Sequence, residues 1–316
     1  MSDVRQQSMT IARGQVRGMA IMASAMLILP LMDIIGKWLA SVDHLAPGQI
    51  AVSRFAVQFV VLVPVITAMR GVSALRPRHI WANMLRGALL GFASLLFFVS
   101  VKYMPVADAI AVFFVEPLLL VALSAIILKE KVGWRRRIAV AVGFAGALIV
   151  IQPSYELFGP VSLLPLVTAL LFTVYLILNK TLSLDDEPVV MQMVAGAGAT
   201  VTLGLAVMVG SMAGIADMTP QMPQFAISWF WLLVIGLMSA GGHLLVIMAF
   251  RHAPASVLAP FQYFEIVTAT IFGLIVFGDF PTLSKWIGIA IIIGSGLYTF
   301  WRERRVEAQS TGTIRS

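Results

Sequence analysis

The chain has 316 residues, 59% of them hydrophobic and 12% charged, with a formal net charge of +7 and no cysteine. A soluble domain is about half apolar and about a quarter charged, so the polar surface needed to coat a water-soluble particle is missing; a soluble enzyme, a disordered chain and a nucleic-acid binder are poor readings. The lack of cysteine excludes thiol catalysis, disulfides and thiolate metal sites, and a mean hydropathy of +0.94 reads as an integral membrane protein.

A bilayer core about 30 Å thick needs roughly 20 helical residues per crossing. Ten apolar runs meet that need: 18–40, 47–69, 80–101, 105–128, 135–152, 161–179, 188–211, 228–250, 254–277 and 283–301. The expected fold is all-α, with ten transmembrane helices in two five-helix repeats, 18–152 and 161–301, between a tail over 1–17 and a basic tail over 302–316. Residues 18–32 could pass for a signal-peptide core, but the apolar run continues past Asp33 and Lys37, so the helix is expected to be retained. An N-terminus in the cytoplasm places 17 of the 22 Lys and Arg on the inner side and leaves Lys102 and Lys285 in outer loops. The positive-inside bias therefore predicts that both termini are cytoplasmic.

Ionisable residues within hydrocarbon are functional candidates by default. In the first span Asp33 and Lys37 are four residues apart on one helix face. Arg54 of the second span lies at a similar depth to Asp33. An Asp33–Arg54 pair reads either as an outer gate or as a permanent structural ion pair, with Lys37 snorkelling to the interface. In the third span Gly87 and Gly91 form a GxxxG pattern that permits close packing, within the chain or in a homodimer. Asp108 opens the fourth span, where a carboxylate suits a helix N-terminus. Asp185-Asp186-Glu187 stands without a second acidic cluster, so a solvated turn is preferred to a metal site. His243, after Gly241-Gly242, reads as a satisfied core histidine or a proton relay. The Arg302-Arg304-Arg305 cluster suits anionic lipid.

Glu116 and Glu265 carry the sharpest signal. Shifting the chain on itself by 149 residues places Pro105 on Pro254, Lys102 on Arg251, Glu116 on Glu265 and Glu130 on Asp279. Each glutamate follows its repeat's proline by 11 residues, about 16 Å along a helix, near mid-bilayer. With five spans per repeat the second half enters the membrane inverted, a feature of secondary transporters with a midplane site. A structural reading of the two glutamates, as hydrogen-bonding groups holding helices together, stands beside the functional one. Phe113-Phe114 and Gln262-Tyr263 precede the glutamates in equivalent places, and with Trp38, Tyr175 and Phe261 they could wall a cavity for a ring-bearing substrate.

The stretches Pro260-Phe261-Gln262-Tyr263, Phe277-Gly278-Asp279-Phe280-Pro281, Lys285-Trp286-Ile287-Gly288 and Gly294-Ser295-Gly296-Leu297-Tyr298 resemble the second repeat of the drug/metabolite transporter superfamily, of the EamA type. The first-half counterpart runs from Pro105 through Glu116-Pro117 to Leu128-Lys129-Glu130-Lys131. The chain departs from the family pattern at Asp279, more often Glu, and at Gly143, Gly146 and Ala147, where the fifth-span glycines are displaced. The resemblance implies a carrier for a small organic solute in a bacterial inner membrane, with no cofactor and no metal. Asp33 to Leu39 and Pro260 to Tyr263 look most like the branch that takes up vitamins and S-adenosylmethionine. The lead expectation is uptake of a planar aromatic nutrient such as riboflavin; the alternatives are S-adenosylmethionine uptake, export of amino acids or related metabolites and, from another class, a membrane enzyme. The expected binding residues are Glu116, Glu265, Gln262, Tyr263, Phe114 and Trp38; Asp33, Arg54 and Lys37 are expected to gate, and His243 is the candidate relay.

Overall fold

The structure, a computed structural model, describes residues 2–127, 134–182, 186–252, 258, 261 and 264–313. Among these residues every regular element is helical. The first half contains α1 (Ser2–Ser41), α2 (Pro47–Arg70), α3 (Ile80–Tyr103), α4 (Val106–Phe113), α5 (Glu116–Ile127) and α6 (Trp134–Phe158). The second contains α7 (Leu164–Leu182), α8 (Pro188–Met212), α9 (Ile227–His252), α10 (Phe264–Phe277) and α11 (Leu283–Thr313). Among the described residues six stretches are long and apolar enough to cross a membrane, and three shorter ones, over 137–152, 264–277 and 283–298, are apolar as well. Large apolar side chains such as Val60, Leu148 and Val209 are exposed around the outside, as the lipid-facing surface of a membrane protein requires.

Two boundaries differ from the sequence reading. The run over 105–128, expected as one span, is two helices separated by a turn at Phe114-Val115. Pro117 explains the break, because its nitrogen has no proton for the carbonyl of Phe113 and its ring crowds that carbonyl. A new helix starts at Glu116, with Pro117 in its first turn, where a missing N–H costs nothing. Helix α6 runs on to Phe158 instead of ending at 152, and stops against Gly159, whose φ of +66° is the left-handed conformation.

The packing repeats the internal symmetry. Helix α1 packs on α9 as α7 packs on α3; α3 packs on α8 as α9 packs on α2; α1 packs on α10 as α7 packs on α5. The pairs α2·α8 and α6·α11 join equivalent helices of the two halves. Small residues set the closest approaches. A Cβ at Gly87 would lie 2.1 Å from the carbonyl oxygen of Ala195, and one at Gly91 would press on Ala199. The GxxxG face of α3 is thus filled by α8 of the same chain.

Ion pairs join the halves on the face where α1, α3 and α10 end. Lys37 Nζ donates to Asp279 Oδ2 at 2.5 Å and to the Met104 carbonyl at 3.3 Å. Gly278, at φ +72°, ends α10 and turns the chain so that the N–H of Asp279 returns to the carbonyl of Gly273. Lys285 Nζ donates to Asp108 Oδ2 at 2.5 Å, and Lys102 to Asp217 at 2.6 Å. These contacts correct two expectations. Lys37 does not snorkel to the interface, and Lys285 does not stand in a loop; each is buried because a carboxylate of the other half meets it.

On the opposite face Asp186, from the second half, ties down the residues that lead into α3. Its carboxylate accepts from the backbone N–H of Arg78 at 2.6 Å and of His79 at 3.3 Å, and from the Asn83 amide at 2.9 Å. Burial opposes its charge, but these donors outweigh burial and hold the carboxyl below its ordinary value. The acidic trio is therefore no solvated turn at Asp186, while its neighbour Glu187 pairs with Arg70 and Asp185 lies outside the described residues.

Candidate functional site

A cavity of about 150 Å³ lies in the middle of the bundle and is lined by both halves: by α1, α2, α3, α4 and α5 from the first, and by α7, α9 and α10 from the second. Of the residues expected at the site it gathers Asp33, Arg54, Phe114, Glu116, His243 and Glu265. Trp38 is not among its walls, and packs instead at a tilt against Phe225 with ring centres 5.9 Å apart. Lys37 is drawn off to Asp279, and Tyr175 lies beneath the guanidinium of Arg86. Gln262 and Tyr263 lie outside the described residues.

The break in the fourth span positions Glu116. The residue is in the first turn of α5, where unsatisfied backbone N–H groups and the helix dipole favour an anion. It is 8% exposed, and its Oε1 is buried with no hydrogen-bond partner among the described residues. Glu265 occupies the first described turn of α10, so the repeat places both glutamates alike. Asp33, on α1, also turns its carboxylate to the cavity and makes no hydrogen bond among the described residues. Asp33, Glu116 and Glu265 all line this cavity, so three acids converge on one small volume.

Arg54 supplies the cation. Its Nε donates to the Ser239 hydroxyl at 2.8 Å and its Nη1 to the Ser94 hydroxyl at 2.6 Å. The Ser239 hydroxyl in turn donates to Gln58 Oε1 at 3.0 Å, and Gln58 Nε2 donates to the Gln192 carbonyl at 3.0 Å. The expected Asp33–Arg54 ion pair is not formed in this state: the two charges attract one another, but no salt bridge joins them. His243 is anchored to the same serine, its Nδ1 lying 3.0 Å from the Ser239 carbonyl. A carbonyl only accepts, so Nδ1 carries the proton and Nε2 is the ring's remaining polar position.

Aromatic rings form the other wall. Phe113 is the centre of the group, 6.2 Å from Phe97, 6.4 Å from Phe114 and 5.4 Å from Phe172, each at a steep angle. Phe97 and Phe172 were not among the expected residues, nor were Ser94, Thr168 and Ser239. A phenylalanine or serine in a membrane helix is ordinary composition, and only the packing of α3 and α7 against α4, and of α9 against α2, selects these ones. Typical pockets for drug-sized ligands measure about 300–1,000 Å³, so this cavity must widen to hold a ring-bearing solute.

Residues 16–152 and 160–301 each match the EamA-like transporter family. The chain is 27% identical over 299 residues to a riboflavin transporter of Vibrio cholerae serotype O1, covering 94% of this chain and 97% of that one. It is 29% identical over 275 residues to an S-adenosylmethionine uptake transporter of Rickettsia prowazekii, covering 86% and 88%. A protein of known crystal structure shares the fold with a TM-score of 0.57 at 21% identity, over 90% of this chain and 99% of that one.

Proposed function

Since this chain belongs to the EamA-like transporter family, and is thus a multi-pass membrane transporter of small molecules, we propose that it takes up a ring-bearing organic cation by alternating access. The observation that carries this reading is the central cavity, in which three carboxylates and one arginine from both repeats face a wall of phenylalanines. The ring would stack among Phe97, Phe113 and Phe172, and the charged end would lie between Glu116 and Glu265. The acid surplus favours a sulfonium compound such as S-adenosylmethionine over an uncharged flavin. Riboflavin is the second reading, supported by the aromatic wall and by the name of the Vibrio relative.

Access is controlled by the pairs Lys37–Asp279 and Lys285–Asp108, which tie the two halves together above the cavity. With the N-terminus in the cytoplasm, as the positive-inside bias predicts, the tied face would be the outer one and the two pairs would close it. Opening outward requires Lys37 to leave both Asp279 and the Met104 carbonyl. The test is uptake of labelled S-adenosylmethionine and labelled riboflavin by bacterial cells with and without the protein. Saturable uptake of the sulfonium that Glu116→Gln abolishes supports the proposal. Saturable uptake of riboflavin alone replaces it with the second reading, and uptake of neither, with the protein confirmed in the membrane, overturns both.

A further inference from the structure

We infer that Arg54 is the anchor for a carboxylate on the transported solute, so that the cargo is an organic cation with a ring at one end and an amino-acid group at the other. This rests on the reading of the chain as a carrier of a ring-bearing solute. A guanidinium has five N–H donors and keeps its charge in any protein environment. Arg54 is 5% exposed, and one donor goes to Ser239 and one to Ser94. The other three meet no protein acceptor among the described residues, and no carboxylate comes within salt-bridge distance, 4.0 Å. A buried cation without an anion in contact is costly, because the interior solvates it poorly. The cavity beside it is where an anion would enter.

The guanidinium is also held in place before any ligand arrives. Ser239 is fixed by Gln58, which is fixed by the Gln192 backbone, so the plane of the fork is set from the α8 and α9 side. A planar fork held at two points presents its remaining donors in the geometry that two carboxylate oxygens accept. Charge selects the type of anion. A phosphate dianion would face Asp33, Glu116 and Glu265 with one arginine to offset them. A carboxylate attached to a carbon that also bears an ammonium group brings its own cation, which those acids receive.

The purified full-length protein in lipid nanodiscs tests this by equilibrium binding of three probes: S-adenosylmethionine, its decarboxylated analogue and riboflavin. We expect S-adenosylmethionine to bind about tenfold or more tightly than the decarboxylated analogue, the size of one lost charged hydrogen bond. Arg54→Lys keeps the charge without the fork, and should remove most of that preference by weakening S-adenosylmethionine more than the analogue. Ser94→Ala loosens the fork and should weaken the preference in the same direction. Equal affinity of the two sulfonium compounds for the unaltered protein overturns the anchor and leaves the carrier reading standing. Binding of riboflavin alone does the same, and binding of none of the three overturns the anchor and the carrier reading together. The comparison within the unaltered protein decides the matter even where a variant fails to fold.

Discussion

Lys285 and Arg54 are almost equally buried, 4% and 5% exposed, yet the fold treats them in opposite ways. Lys285 meets a carboxylate at 2.5 Å, with both side chains sealed from solvent. Among the described residues Arg54 hydrogen-bonds only to two hydroxyls and lies over the Phe55 ring, while three acids stand around the same cavity without a salt bridge to it. The first arrangement is complete without a ligand and ties the halves together. The second leaves hydrogen-bonding capacity open, in the place where both repeats contribute. In a membrane interior, where a charge cannot borrow water, a set of ionisable groups left without ion pairs is the candidate for receiving a solute.

The largest test of this contrast is to break the closed pair. Lys285→Met leaves Asp108 buried without its cation and should destabilise the protein by about 3–5 kcal/mol, read as a loss of thermal unfolding midpoint in detergent. Adding Asp108→Leu should restore most of that, because removing both charges also removes the desolvation penalty. Failure of the second change to rescue the first would mean that Lys285 serves more than a structural pair. At the open set the expected effect falls on transport instead. Glu116→Gln and Glu265→Gln should each lower uptake of a cationic solute at least about tenfold, the loss of a charged contact. The unfolding midpoint should hardly move, since neither carboxylate has a hydrogen-bond partner to lose among the described residues. Unaltered uptake in both variants would remove the glutamates from the site.

Asp186 sharpens the comparison outside the membrane, as a carboxylate with all its partners in place. Asp186→Ala should cost about 1.5–3 kcal/mol, the usual worth of hydrogen bonds to a charged group. Because its carboxyl is held below its ordinary value in the folded protein, its contribution is fully present above the unfolded value of about 3.9 and is lost as pH falls through the lower folded one. The difference in unfolding midpoint between the two proteins should therefore shrink as the pH is taken from 6 toward 3. The smallest effect belongs to Arg70, half exposed beside Glu187. Arg70→Ala should change stability by less than about 1 kcal/mol, and added salt should erase the difference.

Much of the fold was legible because hydrocarbon imposes a strict rule: a crossing must be helical, apolar and about 20 residues long. The span break was written in Glu116-Pro117, yet the apolar run through it hid the break, since periodicity carries no mark where every position is apolar. The glutamates were legible as buried charge at matched positions. Phe97, Phe172, Ser94 and Ser239 were not, because their residue types are common in membrane helices and only the neighbours they meet set them apart.

By itself the sequence determined that this is a helical membrane carrier of two related halves, because composition, apolar run length and an internal shift of 149 residues are local or additive properties of the chain. Which charges are closed and which are open was decided only by the tertiary structure. Lys37 and Asp33 are one turn apart on the same helix, and nothing local distinguishes their fates. One meets Asp279, which lies 242 residues away in the chain, and the other meets the cavity. Contacts between helices depend on how two whole repeats dock, and that docking is a property of the assembled bundle.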